Sequence, residues 1–204
     1  MRRLALVAVL GALALALAGC GTSKDEGISG GGKVIGRTVT VYSLVNDPGG
    51  AGRDFVEGEK LALSDAGGRA GGLAVNFTSL DLGDDESAQA EAVRRAINDP
   101  QIIAAVVDAN KVTVPLFNAA GILQVAPGDL SVARDPNMLP SGKQTVQSLT
   151  GSVPSDFGAR FQKAFGRPPG QGAQDGYRAM AAVIAAIKTA GAAGTDRTRV
   201  IDSY

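Results

Sequence analysis

The sequence predicts an α/β fold: a three-layer arrangement in which a parallel β-sheet carries helices on both faces. Three observations carry that expectation. Short β-branched or apolar runs alternate with amphipathic runs between residues 37 and 127, the order that builds parallel strands with right-handed crossovers. The run QIIAAVVDA, 101–109, is apolar almost throughout, as a strand buried on both faces requires. Beyond residue 155 the pattern changes to apolar stripes of helical period, which can cover one face of a sheet.

Each element has its own reason. RTVTVYSL, 37–44, alternates and is rich in β-branched residues, so it reads as a strand. VNDPGGAG, 45–52, is a turn-rich loop. RDFVEGEKLALSDAGG, 53–68, is a helix with Phe55, Val56, Leu61, Ala62 and Leu63 on its apolar side, ended by two glycines. GLAVNFTSLDL, 72–82, is a second strand. GDDESAQAEAVRRAINDP, 83–100, is a helix with acids in its first turn and Arg94 and Arg95 near its end, as the helix dipole favours. After the 101–109 strand come a helix over 111–121, with Pro115 either awkwardly inside it or near its first turn, and a strand over 122–127. Phe157, Phe161 and Phe165 repeat every fourth residue in 155–166, and Tyr177, Met180, Ala181, Ile184 and Ile187 mark a helix over 173–191. DRTRVIDSY begins one more short helix.

Composition excludes several chemistries. The chain has 204 residues, with 20 basic and 20 acidic side chains, so no basic excess points to nucleic acid. There is no His and one Cys, which rules out a Ser-His-Asp triad, an imidazole metal site, an intrachain disulfide and a thiolate zinc cluster. No metal and no cofactor is expected. Asp81, Asp84, Asp85 and Glu86 form the densest acidic cluster. It fits a divalent cation or, more simply, a strand end followed by an N-cap and acidic first turn. No nucleophile with a partnered base is visible, so the chain does not read as an enzyme.

The N-terminus bears on location. Arg2 and Arg3 precede an apolar run from Leu4 to Ala18, the length of a secretory h-region rather than a membrane span. It closes on Leu17-Ala18-Gly19-Cys20, which resembles the bacterial lipobox, where the Cys thiol takes a diacylglycerol and the preceding peptide is removed. A plain signal peptide with a chance Cys is the other reading. The expected organisation is a signal peptide over 1–19, then the lipidated Cys20 and a Gly/Ser-rich tether over 20–36, then a single lobe over 37–204. Cleavage would leave 18 basic against 20 acidic side chains. Gly27 to Lys33 spells part of a phosphate-binding loop, but Val34 stands where Ser or Thr should follow and no strand precedes it. The expected location is outside the cytoplasmic membrane, held there by the lipid.

The order of pieces resembles the solute-binding proteins of branched-chain amino-acid type ABC importers. GRDFVEGEKLALSDAGGRAGGLAVNFTSLD is similar to that family's first helix, Gly-Gly turn and Asp-ended strand. EAVRRAINDPQIIAAVV, VPLFNAAGILQVAP and FQKAFGRPPGQGAQDGYRAMAAVIAAIKTAG match later segments in the same order. The resemblance covers roughly 38–136 and 153–204. It implies a type I periplasmic-binding-protein fold, two lobes clamping a ligand. Here only the irregular stretch 137–156 lies where a second lobe would be, too short for a domain. The resemblance therefore implies one lobe, 37–136 and 153–204, joined by an irregular segment over 137–152. Loss of the second lobe is expected to bare apolar surface.

Ligands of such sheets bind beyond the carboxyl ends of the strands, here the loops 45–52, 83–86, 108–111 and 127–133. Where the family has a Gly- and Ser-rich loop after the third strand, this chain has VVDANKVT, leaving Asp108, Asn110 and Thr113 as polar groups. After the fourth strand, APGDLS offers the backbone of Gly128, the carboxylate of Asp129 for an ammonium, and the hydroxyl of Ser131. Each of these residues also fits a turn former or helix cap. The resemblance implies capture of an amino acid or similar small polar solute and its presentation to an ABC permease. The alternative is a shortened lipoprotein serving as an interaction module or without activity.

Overall fold

The computed structural model describes residues 32–204. The expected signal peptide, Cys20 and the tether up to residue 31 lie outside the described residues. Among the described residues no helix is long and apolar enough to cross a membrane.

Six strands form one sheet: β1 (Thr38–Val45), β2 (Arg69–Ala70), β3 (Leu73–Asp81), β4 (Ile102–Val107), β5 (Leu123–Ala126) and β6 (Val146–Ser148), in the spatial order β2-β3-β1-β4-β5-β6. All neighbours run parallel except β2, which pairs antiparallel with β3. The central strand β4 is buried at every residue. It therefore takes Ile, Ala and Val throughout, with no polar alternation.

Helices α1 (Arg53–Asp65), α4 (Phe157–Phe165), α5 (Ala173–Ala190) and α6 (Arg197–Asp202) pack on one face; α2 (Glu86–Ile97) and α3 (Thr113–Ala119) pack on the other. The α1 face buries Val39, Val41, Ile103, Val106 and Leu123 against Phe161, Met180, Val183 and Ile187. The α2 face buries Leu44, Ile102 and Val107 against Val93 and Phe117. Each such side chain, fully buried, contributes about 1.5–3 kcal/mol. The architecture is the expected one: a three-layer α/β lobe, a parallel sheet with helices on both faces.

Helix α1 and helix α5 meet at backbone distance. A Cβ on Gly58 would overlap the carbonyl oxygen of Ala173, and one on Gly176 would overlap that of Phe55. Reciprocal glycines are what allow this approach.

Three expectations change. The stretch 137–152 is not wholly irregular: Val146–Ser148 adds β6 to the sheet, parallel to β5. Asn118 of α3 holds the approach to β6, donating to the Lys143 carbonyl at 2.8 Å and to Thr145 Oγ1 at 3.0 Å and accepting from the N–H and hydroxyl of Ser141. The expected tether is docked at its end. Lys33 forms an antiparallel bridge with Asp196, the Val34 N–H donates to the Thr195 carbonyl at 2.8 Å, and Val34 is buried in the core. Nor is a broad apolar surface bared: among the described residues Ile35, 92% exposed, is the one exposed large hydrophobic side chain.

Candidate functional site

The carboxyl ends of the strands surround a cleft of about 330 Å³. Val45 and Asn46 line it from the end of β1, Leu82 from the end of β3, Val107, Asp108 and Asn110 from the end of β4, and Pro127 from the end of β5. Gly52 and Phe55 from the start of α1, and Gln89 from α2, complete the wall. The place is the one that topology favours for ligands of open α/β sheets.

The loop from β1 into α1 is folded on itself. Asp47 adopts a left-handed conformation (φ 46°), and its carboxylate accepts from the Ala51 N–H at 3.0 Å. Asp81 Oδ1 accepts from the backbone N–H groups of Asp47 and Gly83, tying this loop to the end of β3. Gly52 stands at the N-cap of α1 and offers no side-chain cap. The backbone N–H of Val56 reaches the Gly52 carbonyl, while those of Asp54 and Phe55 have no acceptor among the described residues. Gly52 and Phe55 place this uncapped first turn of α1 on the cleft wall, with Asp54 in the turn and the Asp47 carboxylate beside it.

The residues singled out from sequence divide by position. Asp108 and Asn110 line the cleft. Asp108 is exposed, and a side chain at Gly128 would stand 3.0 Å from its Oδ1, so the bare Gly128 backbone leaves this carboxylate its room. Asn110 Oδ1 accepts from the N–H groups of Val112 and Thr113 at 2.8 and 2.9 Å, capping α3, while its amide donates to Gln89 Oε1 at 3.2 Å. Thr113 is fully buried; its hydroxyl donates to the Asp108 carbonyl at 2.7 Å and accepts from Gln124 Nε2 at 3.2 Å. Asp129 and Ser131 do not line the cleft; both are exposed and bond to each other, Ser131 N and Oγ both donating to the Asp129 carboxylate. Those bonds, the hydroxyl first, hold the Asp129 carboxyl below its usual range.

Asn46, Phe55 and Gln89 were not singled out as cleft residues. Phe55 carries a signal only for a helix face, and nothing in the spacing marks Gln89. Gln124 is a polar break in an apolar strand and was readable as such. It is fully buried and donates to the Val107 and Asp108 carbonyls at 3.3 and 3.2 Å, fixing the end of β4 beneath the cleft. The acids Asp81 and Asp85 serve structure: Asp85 caps α2 by accepting from the Ala88 N–H at 2.9 Å. Among the described residues no group of three His, Cys, Asp or Glu side chains could hold a metal ion.

No protein-family model matches this chain, and no curated protein sequence does. Solved structures do. The chain is similar to a solute-binding protein of an ABC transporter from Rhodopseudomonas palustris BisB5, in complex with 3,4-dihydroxybenzoic acid, at TM-score 0.64 and 13% identity, over 82% of this chain and 85% of that one. It is similar to the leucine-binding protein LivK from Thermotoga maritima MSB8 at TM-score 0.60 and 13% identity, over 81% and 86%. Against an ABC transporter substrate-binding protein from Sphaerobacter thermophilus it spans 32% of that chain and 55% of its own, at TM-score 0.45 and 17% identity. At such identities the first two likenesses establish the fold alone, one shared with ABC-transporter solute-binding proteins.

Proposed function

We propose that this chain is the solute-binding part of an ABC import system, exported and lipid-anchored through Cys20, and that its cleft takes an amino acid or a similar small dipolar solute. One observation carries the reading: the cleft has opposed polarity. Asp108 lines it at the end of β4, and Gly52 and Phe55 line it at the uncapped first turn of α1. An ammonium suits the first and a carboxylate the second; a charge at a helix terminus gains about 0.3–1 kcal/mol at an exposed site. Phe55 and Leu82 supply apolar wall between them. Asn110 and Gln89 brace the same wall, with Gly128, Asp129 and Ser131 in the loop that follows Pro127 and Thr113 supporting it from below. The volume suits a molecule of amino-acid size. The solved relatives bind different solutes, leucine by name in one case and a dihydroxybenzoate in another, so the ligand class rests on the cleft itself.

A second reading, an interaction module without transport, is favoured by β6. The segment where a second lobe would enter instead completes the sheet edge, and a one-walled cleft leaves its ligand wet. Calorimetric titration of the protein with leucine, isoleucine, valine and a wider panel of amino acids and small polar solutes separates the two. Saturable binding that weakens at least tenfold in Asp108→Asn supports transport. A cooperatively melting protein that gives no heat with any of them sinks the solute-binding reading and leaves the module.

A further inference from the structure

The two ends of the sheet differ in charge: acids outnumber the cations Arg53, Lys111 and Arg134 at the cleft end, and cations outnumber acids at the other. Around the cleft Asp47, Asp81, Asp84, Asp85, Glu86, Asp108 and Asp129 are all exposed. The opposite end, where β1, β3 and β4 begin, carries exposed Lys33, Arg37, Arg69, Lys188 and Arg199 beside the fewer acids Asp65, Asp99, Asp196 and Asp202. None of these five pairs with a carboxylate side chain among the described residues.

Their arrangement is specific. Arg37 Nη2 and Arg69 Nη2 both donate to one acceptor, the Gly72 carbonyl, at 3.5 and 2.8 Å. Two guanidinium groups converge there with no acid between them. Gly71, next in the same turn, packs on the backbone of Ile187 and Lys188, which brings Lys188 to the same end. Lys33 bridges to Asp196, and the Asp196 carboxylate accepts from the Arg199 N–H. Ile35 lies between Lys33 and Arg37, 92% exposed. A lone exposed Ile is ordinary; one amid five unpaired cations is the composition of a surface that settles on charged lipid.

We propose that this basic end docks on anionic lipid headgroups of a membrane surface, with Ile35 dipping into the headgroup layer, so that the cleft faces away from the membrane. The charge separation favours that orientation, because the acidic rim of the cleft is repelled by the surface that attracts the basic end. The chain also enters the described structure on this end, at Gly32, twelve residues after Cys20. Twelve residues reach at most about 43 Å, so an anchor at Cys20 lets this end lie against the membrane. The docking does not require the anchor, nor does it require the cleft to bind a solute.

The chain contains no Trp, so single reporters are clean. Ile35→Trp and, as a cleft-end control, Ala51→Trp are placed in the full chain and mixed with vesicles of phosphatidylglycerol and phosphatidylcholine carrying brominated acyl chains. The expected result is a blue shift and quenching at position 35, little at position 51, loss of the difference in pure phosphatidylcholine, and a drop of roughly tenfold in the docked fraction when Arg37→Glu and Arg69→Glu are combined. A far-ultraviolet melt of the double variant checks that it is folded. Equal quenching at the two positions, or none at 35, overturns the proposal. So does displacement by millimolar inorganic phosphate, which would make the arginine pair a site for free anions.

Discussion

The two faces of the sheet both bury polar side chains, and they treat them differently. Beneath α3 the buried polar groups partner one another. Asn118 uses both its amide and its carbonyl, Thr113 bridges Gln124 to the Asp108 carbonyl, and one oxygen, Gln124 Oε1, is left over. Beneath α1, Glu59 is wholly out of solvent, and neither of its carboxyl oxygens nor the buried Ser43 hydroxyl on β1 has a hydrogen-bond partner. Burial pushes the Glu59 carboxyl well above its ordinary value, against the pull of the Lys60 charge. Paired polar groups specify where a loop and an edge strand go. An orphaned acid specifies nothing of the kind and costs stability whenever it ionises.

The largest expected effect attacks the packing of the α1 face. Gly58→Ala forces a Cβ into the Ala173 carbonyl, and a backbone contact yields less than a side chain does. A loss of about 3 kcal/mol is expected, read as a fall in melting temperature. Equal melting of variant and parent would mean the two helices slide freely, and the contrast between a tight face and a networked face would fail.

Asn118→Leu tests the other face. It leaves the Ser141 N–H and the Lys143 carbonyl without their partner, for a loss of about 2–3 kcal/mol. Hydrogen exchange should speed up over 139–148 while the amides of α5 stay protected. Uniform deprotection of both regions would show that the network is not local to the edge.

Glu59→Gln gives the smallest effect and the sharpest. The folded-state pKa of Glu59 is raised, so its neutral form is favoured by folding. Its contribution is whole below the unfolded-state value near 4.5 and is lost as pH rises. At pH 8 the Gln variant should therefore be more stable by about 1 kcal/mol, and the advantage should vanish as pH falls below 4.5. An advantage that persists at pH 4 would mean that charge is not its source.

The parallel core was legible because its strands are long and apolar: every strand of four residues or more falls within two residues of its expected bounds. The two that escaped are short. Arg69-Ala70 sits between pairs of glycines, and Val146-Gln147-Ser148 shows neither an apolar run nor a β-branched cluster. They are strands because a neighbour offers its edge, a reason that no local pattern contains. The site was legible in place more than in detail. The strand-end rule located the cleft, whereas Asn110 as a cap and Asp129–Ser131 as a self-bonded turn depend on short-range geometry. Glu59 carried a missed signal: it lies four residues after Phe55 and three before Ala62, on the apolar stripe of its own helix.

The docking of Val34 beside Thr195 has a consequence in time. A chain made from its N-terminus forms β1 to β5 from contiguous sequence, and α2 and α3 can cover one face as they appear. The other face waits for α5, α6 and the Thr195 clasp. Until then Val39, Val41, Ile103 and Leu123 have half their cover, and the growing chain is most exposed to wrong partners. Late residues thus close over early ones, and a chain stopped short of residue 195 should remain a clinging half-molecule.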